Sequence, residues 1–275
     1  MGAIRAMISL FTVIPVNTTM VDYEDLSRRF WLLPLIGALF GLLASLSFLL
    51  LSHVFSTLLA AVVVVMLMQA FNRFLHFDGL MDLGDGLVAH GDQEKKLGAL
   101  KDSSIGAGGV AFALFFILLA ISALSSLPTG SGLELIILVP FAMELLGRNA
   151  MLACAALGTP RPGLGSKFVT NTKARAIVPS IILSTFIVMV AWILIRFVFP
   201  TGCLDPYVSI VPFLDWIWML ILTLVLVLVS TVVGAIMARV GKNSFGCVNG
   251  DVIGATNEIT RPLIIMVMVL LLVVP

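Results

Sequence analysis

Charge is scarce in this chain. Lys, Arg, Asp and Glu together make up 11 % of its 275 residues, against about 25 % in ordinary soluble domains. Hydrophobic residues make up 60 % and the mean hydropathy is +1.15, more apolar surface than a water-soluble fold can hide. Cysteine is nearly missing as well. Cys154, Cys203 and Cys247 have neither the density of a disulfide framework nor metal-ligand spacing. The formal net charge of +1 gives no sign of a nucleic-acid partner. The opening MGAIRAMISLFTVIPV is too short and too interrupted for a signal sequence, and reads as an interfacial segment.

What the chain does have is long apolar runs. A spanning helix needs about 20 mostly apolar residues. Phe30 to Asn72 holds no Asp, Glu, Lys or Arg, room for two spans hinged around Ser52 and His53. Further spans fit residues 108–127, 134–157, 176–195, 216–238 and 254–274. In lipid such runs must be helices, so that every backbone group is satisfied within its own segment. The expected architecture is all-α: a polytopic integral membrane bundle of about seven transmembrane helices, one domain over residues 1–275, with the lipid bilayer as its surroundings. Fourteen of the sixteen basic residues fall in segments 1–30, 72–107, 158–175 and 239–261. The positive-inside rule makes that side cytoplasmic, with the N-terminus inside. The Gly-rich polar segments land on the same side. One-sided polarity suits an enzyme working on cytosolic substrates at the cell membrane better than a route across the bilayer.

The stretch FNRFLHFDGLMDLGDGLVAHGD (71–92) breaks the apolar pattern most sharply. Asp78, Asp82 and Asp85 stand at i, i+4 and i+7, which on a helix confines them to an arc of about 60°. Three carboxylates so close repel one another unless a cation sits among them. An oxygen-only donor set suits Mg²⁺, which keeps waters and substrate phosphates as its other ligands. One of the three could instead act as a general base. The competing explanation is a solvated acidic loop. Gly79, Gly84 and Gly86 count against a casual helix, because each costs about 1 kcal/mol relative to Ala. His76 reads as a hydrogen-bonding neighbour of the acids rather than a fourth ligand, and His53 as a polar bend on the outer surface.

Three further polar patches stand out. In KDSSIGAGG (101–109), Lys101, Asp102 and Ser103 precede a helix start whose backbone N–H groups are suited to phosphate, although a capped entry loop explains them equally well. Glu144 and Arg148 lie one turn apart inside a span, as an internal ion pair or as part of a substrate cavity. The loop GTPRPGLGSKF (158–168) carries Arg161 and Lys167, as an anion-binding lid or a positive-inside anchor. In GCVNGDVIGATNEITRP (246–262), Asp251 and Glu258 share a helix face, and Glu258 can pair with Arg261.

In this order the patches resemble the cobalamin synthase family (adenosylcobinamide-GDP ribazoletransferases). The matching stretches are FTVIP (11–15), HFDGLMDLGDG from His76, KDSSIG from Lys101, GRN from Gly147, RPGLG from Arg161 and GDVIGA from Gly250. Ser104 stands where many relatives have Arg. The resemblance implies transfer of the adenosylcobinamide-phosphate moiety from adenosylcobinamide-GDP to α-ribazole or its 5′-phosphate, with release of GMP and with Mg²⁺ as cofactor. Under it, Asp78 and Asp82 bind Mg²⁺, while Asp85 completes the site or takes a proton. Lys101, with Asp102 and Ser103, Arg148 and Arg161 or Lys167 hold substrate. Asp251 and Glu258 add a second pair of ligands or orient the nucleophile, and His76 supports the catalytic group. A homo-oligomer is compatible with the sequence. The rival classes are CDP-alcohol phosphotransferases, whose D-G-x-x-A-R opening is not found here, membrane prenyltransferases and secondary transporters.

Overall fold

The computed structural model describes residues 2–127, 133–161, 165–198 and 212–272. The expected Pro162–Leu164 part of the RPGLG loop, and Cys203, lie outside them. Twelve α-helices are described: α1 (Gly2–Phe11), α2 (Met20–Arg28), α3 (Leu33–Val54), α4 (Thr57–Phe71), α5 (Leu75–Val88), α6 (Gln93–Leu100), α7 (Ala107–Ser125), α8 (Leu133–Leu157), α9 (Ser166–Asn171), α10 (Ile177–Val198), α11 (Pro212–Phe245) and α12 (Gly250–Leu272). Six stretches are long and apolar enough to cross a bilayer, built on α3, α7, α8, α10, α11 and α12. The chain is therefore a multi-pass helical membrane protein.

The seventh expected span is only partly a span. The break after α3 falls at Phe55 and Ser56, just past the expected hinge, where the Ser56 hydroxyl caps α4 by accepting from Leu59 N–H. His53 is exposed there, as expected. But α4 has 15 residues, about 22 Å of helix, short of a hydrocarbon core of about 30 Å. It then bends by 95° into α5, which carries the acidic motif. Arg73 and Phe74 make the bend, both with φ of 57°. A left-handed conformation costs a non-glycine residue about 1–2 kcal/mol, so the surroundings must hold it. Phe74 N–H reaches back to the Gln69 carbonyl at 2.8 Å and Arg73 N–H to that of Ala70 at 3.0 Å, a Schellman closure without its usual glycine. The Arg73 guanidinium donates to the carbonyls of Ser9 and Leu10 at 2.9 and 3.2 Å. Val13, within FTVIP, donates its N–H to the Phe71 carbonyl at 2.8 Å. The opening motif thus braces the bend.

Helix α8 is the axis of the bundle: 89 % of its apolar stretch is buried inside the protein, against 22 % of α10. Lipid offers no hydrophobic drive between helices, so close approach and polar glue must hold them. Close approach comes from Gly37 and Gly41 of α3, at GxxxG spacing. A Cβ on Gly37 would lie 2.8 Å from Leu145 Cα, and one on Gly41 2.8 Å from the Phe141 carbonyl oxygen. Polar glue comes from Asn149 of α8. Its Nδ2 donates to Ser230 and Thr231 of α11 at 2.8 and 3.1 Å, and its Oδ1 accepts from Ser180 of α10 at 2.9 Å. The outward faces of α3, α7, α10 and α11 present exposed Leu, Ile, Val and Phe, among them Leu50, Phe115, Ile182 and Leu228, a surface matched to lipid.

The last span begins earlier than the composition suggested. Helix α12 starts at Gly250, and Glu258 and Arg261, already within the expected span 254–274, are buried in it. Arg261 is therefore an interior residue and not one of the loop cations. Replacing Gly41 by Leu would drive a side chain into the α8 backbone, at a cost of about 1–3 kcal/mol. A fall in the thermal midpoint of the detergent-solubilised Gly41→Leu protein is expected, and an unchanged midpoint would contradict the close α3–α8 packing.

Candidate active site

Two glycines decide where the acids sit. A Cβ on Gly79 of α5 would come within 2.7 Å of the Asp251 carbonyl oxygen, and one on Gly254 of α12 within 3.2 Å of His76 Cα. As α5 advances from His76 to Gly79, α12 runs back from Gly254 to Asp251, so each motif's glycine receives the other's backbone. This seats Asp251 against the acidic face of α5. Asp82 interacts electrostatically with Asp251, Asp78 and Asp85, and Asp251 with Asp78 and Lys101. Asp78 is exposed, while Asp82 and Asp251 are half-buried. Asn249 prepares the first turn of α12: its Oδ1 accepts from Val252 N–H at 3.0 Å and its Nδ2 donates to the Asp251 carboxylate at 2.6 Å. Acids of the α5 motif and Asp251 of the α12 motif thus lie within electrostatic range of one another.

Asp85 has a different task. Its two oxygens accept the N–H groups of Gly106 at 2.7 Å and Gly109 at 2.8 Å. The start of α7, suited by composition to phosphate, is therefore already neutralised by a carboxylate of the chain itself. A side chain on Gly106 or Gly109 would collide with that carboxylate, which accounts for the glycines in KDSSIGAGG. Among the described residues no three His, Cys, Asp or Glu side chains converge to hold a metal ion, so the expected three-aspartate cage does not form. Mg²⁺ does not require one. It is commonly held by one or two carboxylates with waters and phosphates completing the shell, and Asp78 and Asp82, faced by Asp251, fit that donor set.

One cation is within electrostatic range of the acids. Lys101 and Arg161 both act electrostatically on Cys247, and Lys101 also on Asp251. Burial pushes the Cys247 thiol up, so it is no ready nucleophile. The loop bearing Arg161 is pinned beside α12: Val248 N–H donates to the Thr159 carbonyl at 2.8 Å, and Gly165 lies so close to Gly250 that a Cβ would reach its nitrogen at 2.5 Å. Asp102 and Ser103 are exposed. Asp102 accepts from Ser104 N–H at 2.9 Å, which holds its carboxyl below the usual range and shapes the loop that carries Lys101. Lys167 is exposed on α9, with Glu24 3.9 Å away.

The remaining expected residues are not at this site. His76, Arg148 and Glu258 are buried. The His76 Nδ1 receives Asn72 at 2.8 Å and Arg148 at 3.2 Å, so it is a structural partner and does not join the acids. Arg148 does not pair with Glu144. It binds the Asn257 side-chain oxygen and lies over the Phe40 ring at 4.7 Å, while Glu144 pairs with Arg261. Glu258 is committed to Gln69, Asn257 and, as expected, Arg261 at 3.0 Å. Gln69, Asn72, Asn249 and Asn257 were missed in the sequence reading. For Gln69 and Asn72 the signal was present as amides in an otherwise apolar run, each of which needs a partner once buried.

A multi-pass helical protein with several carboxylates and a lysine brought together has the makings of a membrane enzyme for charged substrates. The chain matches the family described as Cobalamin-5-phosphate synthase over residues 3–269, and it belongs to that family. It is 28 % identical to an adenosylcobinamide-GDP ribazoletransferase of Methanococcoides burtonii, over 97 % of this chain and 91 % of that protein. It is 29 % identical to one of Methanosarcina barkeri (98 % and 92 %) and 30 % identical to one of Halorubrum lacusprofundi (94 % and 93 %). No solved structure matches it. Family and relatives make the chain a transferase of cobalamin synthesis.

Asp85→Leu would remove two charge-assisted bonds to the start of α7, each contributing about 1.5–3 kcal/mol. Hydrogen exchange of the 102–112 amides is expected to accelerate at least about tenfold, and unchanged exchange would contradict the anchoring role.

Proposed function

We propose that the protein transfers the adenosylcobinamide-phosphate moiety from adenosylcobinamide-GDP to α-ribazole or its 5′-phosphate, releasing GMP. The observation that carries this reading is the meeting of Asp78 and Asp82 with Asp251 and Lys101, which supplies a cation-holding face and a phosphate-holding cation side by side. The names of the relatives supply the substrates. The side bearing the acids and most of the basic loops faces the cytoplasm of the cell membrane.

In the reaction an acceptor hydroxyl oxygen forms a bond to the phosphorus attached to cobinamide. The bond from that phosphorus to the bridging oxygen breaks, and GMP leaves with the electron pair. Asp78 and Asp82 would hold Mg²⁺, which when bound would offset negative charge on the transferring and leaving phosphates. Lys101 and Arg161 draw the diphosphate against the acid face and share the charge that develops on GMP. Asp251 is placed to receive the proton of the acceptor hydroxyl, its carboxylate oriented by Asn249. Asp85 keeps the Lys101 loop attached to α5, so that the cation and the carboxylates move as one unit.

The purified protein in lipid, given adenosylcobinamide-GDP, α-ribazole and Mg²⁺, is expected to produce GMP and a cobalamin in equal amounts, and to stop when EDTA is added. Asp82→Asn is expected to lower the rate by about a hundredfold or more. Lys101→Ala should raise KM for the GDP-activated substrate about tenfold, the equivalent of one charge-assisted bond. Full activity of Asp82→Asn would refute the metal assignment. A folded protein that forms no product would return the chain to other phosphotransfer chemistry.

A further inference from the structure

Behind the acid face lies a connected set of buried polar side chains drawn from four helices. Gln69 and Asn72 come from the end of α4, His76 from α5, Glu144 and Arg148 from α8, and Asn257, Glu258 and Arg261 from α12. Two carboxylates and two guanidiniums balance in charge. The bonds form two branches joined at neighbouring residues of α12. In one, Gln69 Nε2 donates to Glu258 at 2.5 Å, Arg261 bridges Glu258 at 3.0 Å and Glu144. In the other, Arg148 bridges Asn257 and His76, and Asn72 donates to His76 at 2.8 Å. Asn257 Nδ2 joins the branches by donating to Glu258 at 2.8 Å.

The location of these residues matters more than their number. Gln69 and Asn72 flank the left-handed pair Arg73 and Phe74 on its N-terminal side and His76 lies just beyond it, so three network members straddle the 95° bend. His76 is two residues before Asp78. Gly254, whose close approach to His76 seats α12 on α5, is three residues before Asn257. Phe11 of the FTVIP motif covers the network, 5.6 Å from the His76 ring and 6.0 Å from the Arg148 guanidinium carbon. A buried ionic network contributes less net stability than apolar packing of equal volume would, but it admits few arrangements in which every charge is met. Here the bonded groups lie on both sides of the bend and join α4, α5, α8 and α12, while Arg148 Nε and Nη2 and His76 Nε2 have no hydrogen-bond partner.

We propose that this network is the positioning device of the active site, and that Gln69, Asn72, Arg148 and Asn257 set the placement of α5 that brings Asp78 and Asp82 to face Asp251. None of these residues touches substrate. They act through the bend and through the α5–α12 contact. The idea rests on the proposed Mg²⁺-dependent transfer for its kinetic readout, but its structural readout is independent of that activity.

The test uses the full-length chain in lipid nanodiscs with Cys154, Cys203 and Cys247 replaced. Nitroxides are attached at Val88→Cys on α5 and Leu270→Cys on α12, both exposed positions, and their distance distribution is measured by pulsed electron paramagnetic resonance. Gln69→Leu and Asn72→Leu each remove an uncharged side chain and leave Glu258 paired with Arg261, and so are the variants best placed to fold. In both, the distance distribution is expected to shift or broaden, and the Mg²⁺ concentration giving half-maximal transfer to rise about tenfold to a hundredfold. A purely structural role would lower the yield of folded protein and leave that concentration where it was. The proposal is overturned if folded variants keep the wild-type distance distribution, or if the distance changes and the Mg²⁺ dependence does not. If the unmutated protein shows no transfer at all, the functional reading falls while the distance measurement alone decides the positioning claim.

Discussion

The contact on which the site depends is the one between Gly79 of α5 and the backbone at Asp251 of α12, repeated in reverse between Gly254 and His76. Hydrogen in place of a side chain at two positions lets two helices meet backbone to backbone. That approach brings acids from distant parts of the chain within range of one another. A carboxylate cluster in or beside a membrane is costly to assemble, since desolvation and mutual repulsion both act against it. The cost is tolerable where a divalent cation and a phosphorylated substrate are expected to complete the charge balance.

Around this contact the chain separates two kinds of polarity. Asp78 and Asp82 of α5, Asp251 and the cations on the adjoining loops remain half-buried or exposed, open to a charged ligand. One layer further in, Arg261 pairs with Glu144 and Glu258, and Arg148 bonds to Asn257 and His76. Asp85 belongs to neither group. Its carboxylate takes the place at the start of α7 that a phosphate would otherwise take, and so converts an anion-binding helix end into a joint between α5 and the Lys101 loop. The division explains why closely spaced charged residues carry such different assignments.

Much of this was legible in the residues. Long uncharged runs marked the spans, because lipid forces helices. The spacing of Asp78, Asp82 and Asp85 put them on one side of a helix, and the order of the polar patches carried the family resemblance. The spacing could not say what each acid would face. The partner of Asp85 comes 21 residues later, that of Gln69 189 residues later and that of Arg148 109 residues later. Periodicity within a helix is blind to such pairings. The bend after α4 was equally hidden, since Arg73 and Phe74 adopt left-handed backbone without glycine, asparagine or proline to signal it. The internal pair that i,i+4 spacing allowed Glu144 and Arg148, one of the two expectations for them, does not form because α12 offers each a better partner.

The central claim is that α5 and α12 together hold the metal and the diphosphate. Its most direct test is an experimental structure of the protein in lipid with Mg²⁺ and a non-hydrolysable analogue of adenosylcobinamide-GDP. The account predicts metal density against Asp78 and Asp82, the diphosphate between that density and Lys101, Asp251 turned toward the acceptor side, and Asp85 still bonded to Gly106 and Gly109. Metal held elsewhere, or a diphosphate lodged on the start of α7 in place of Asp85, would contradict it.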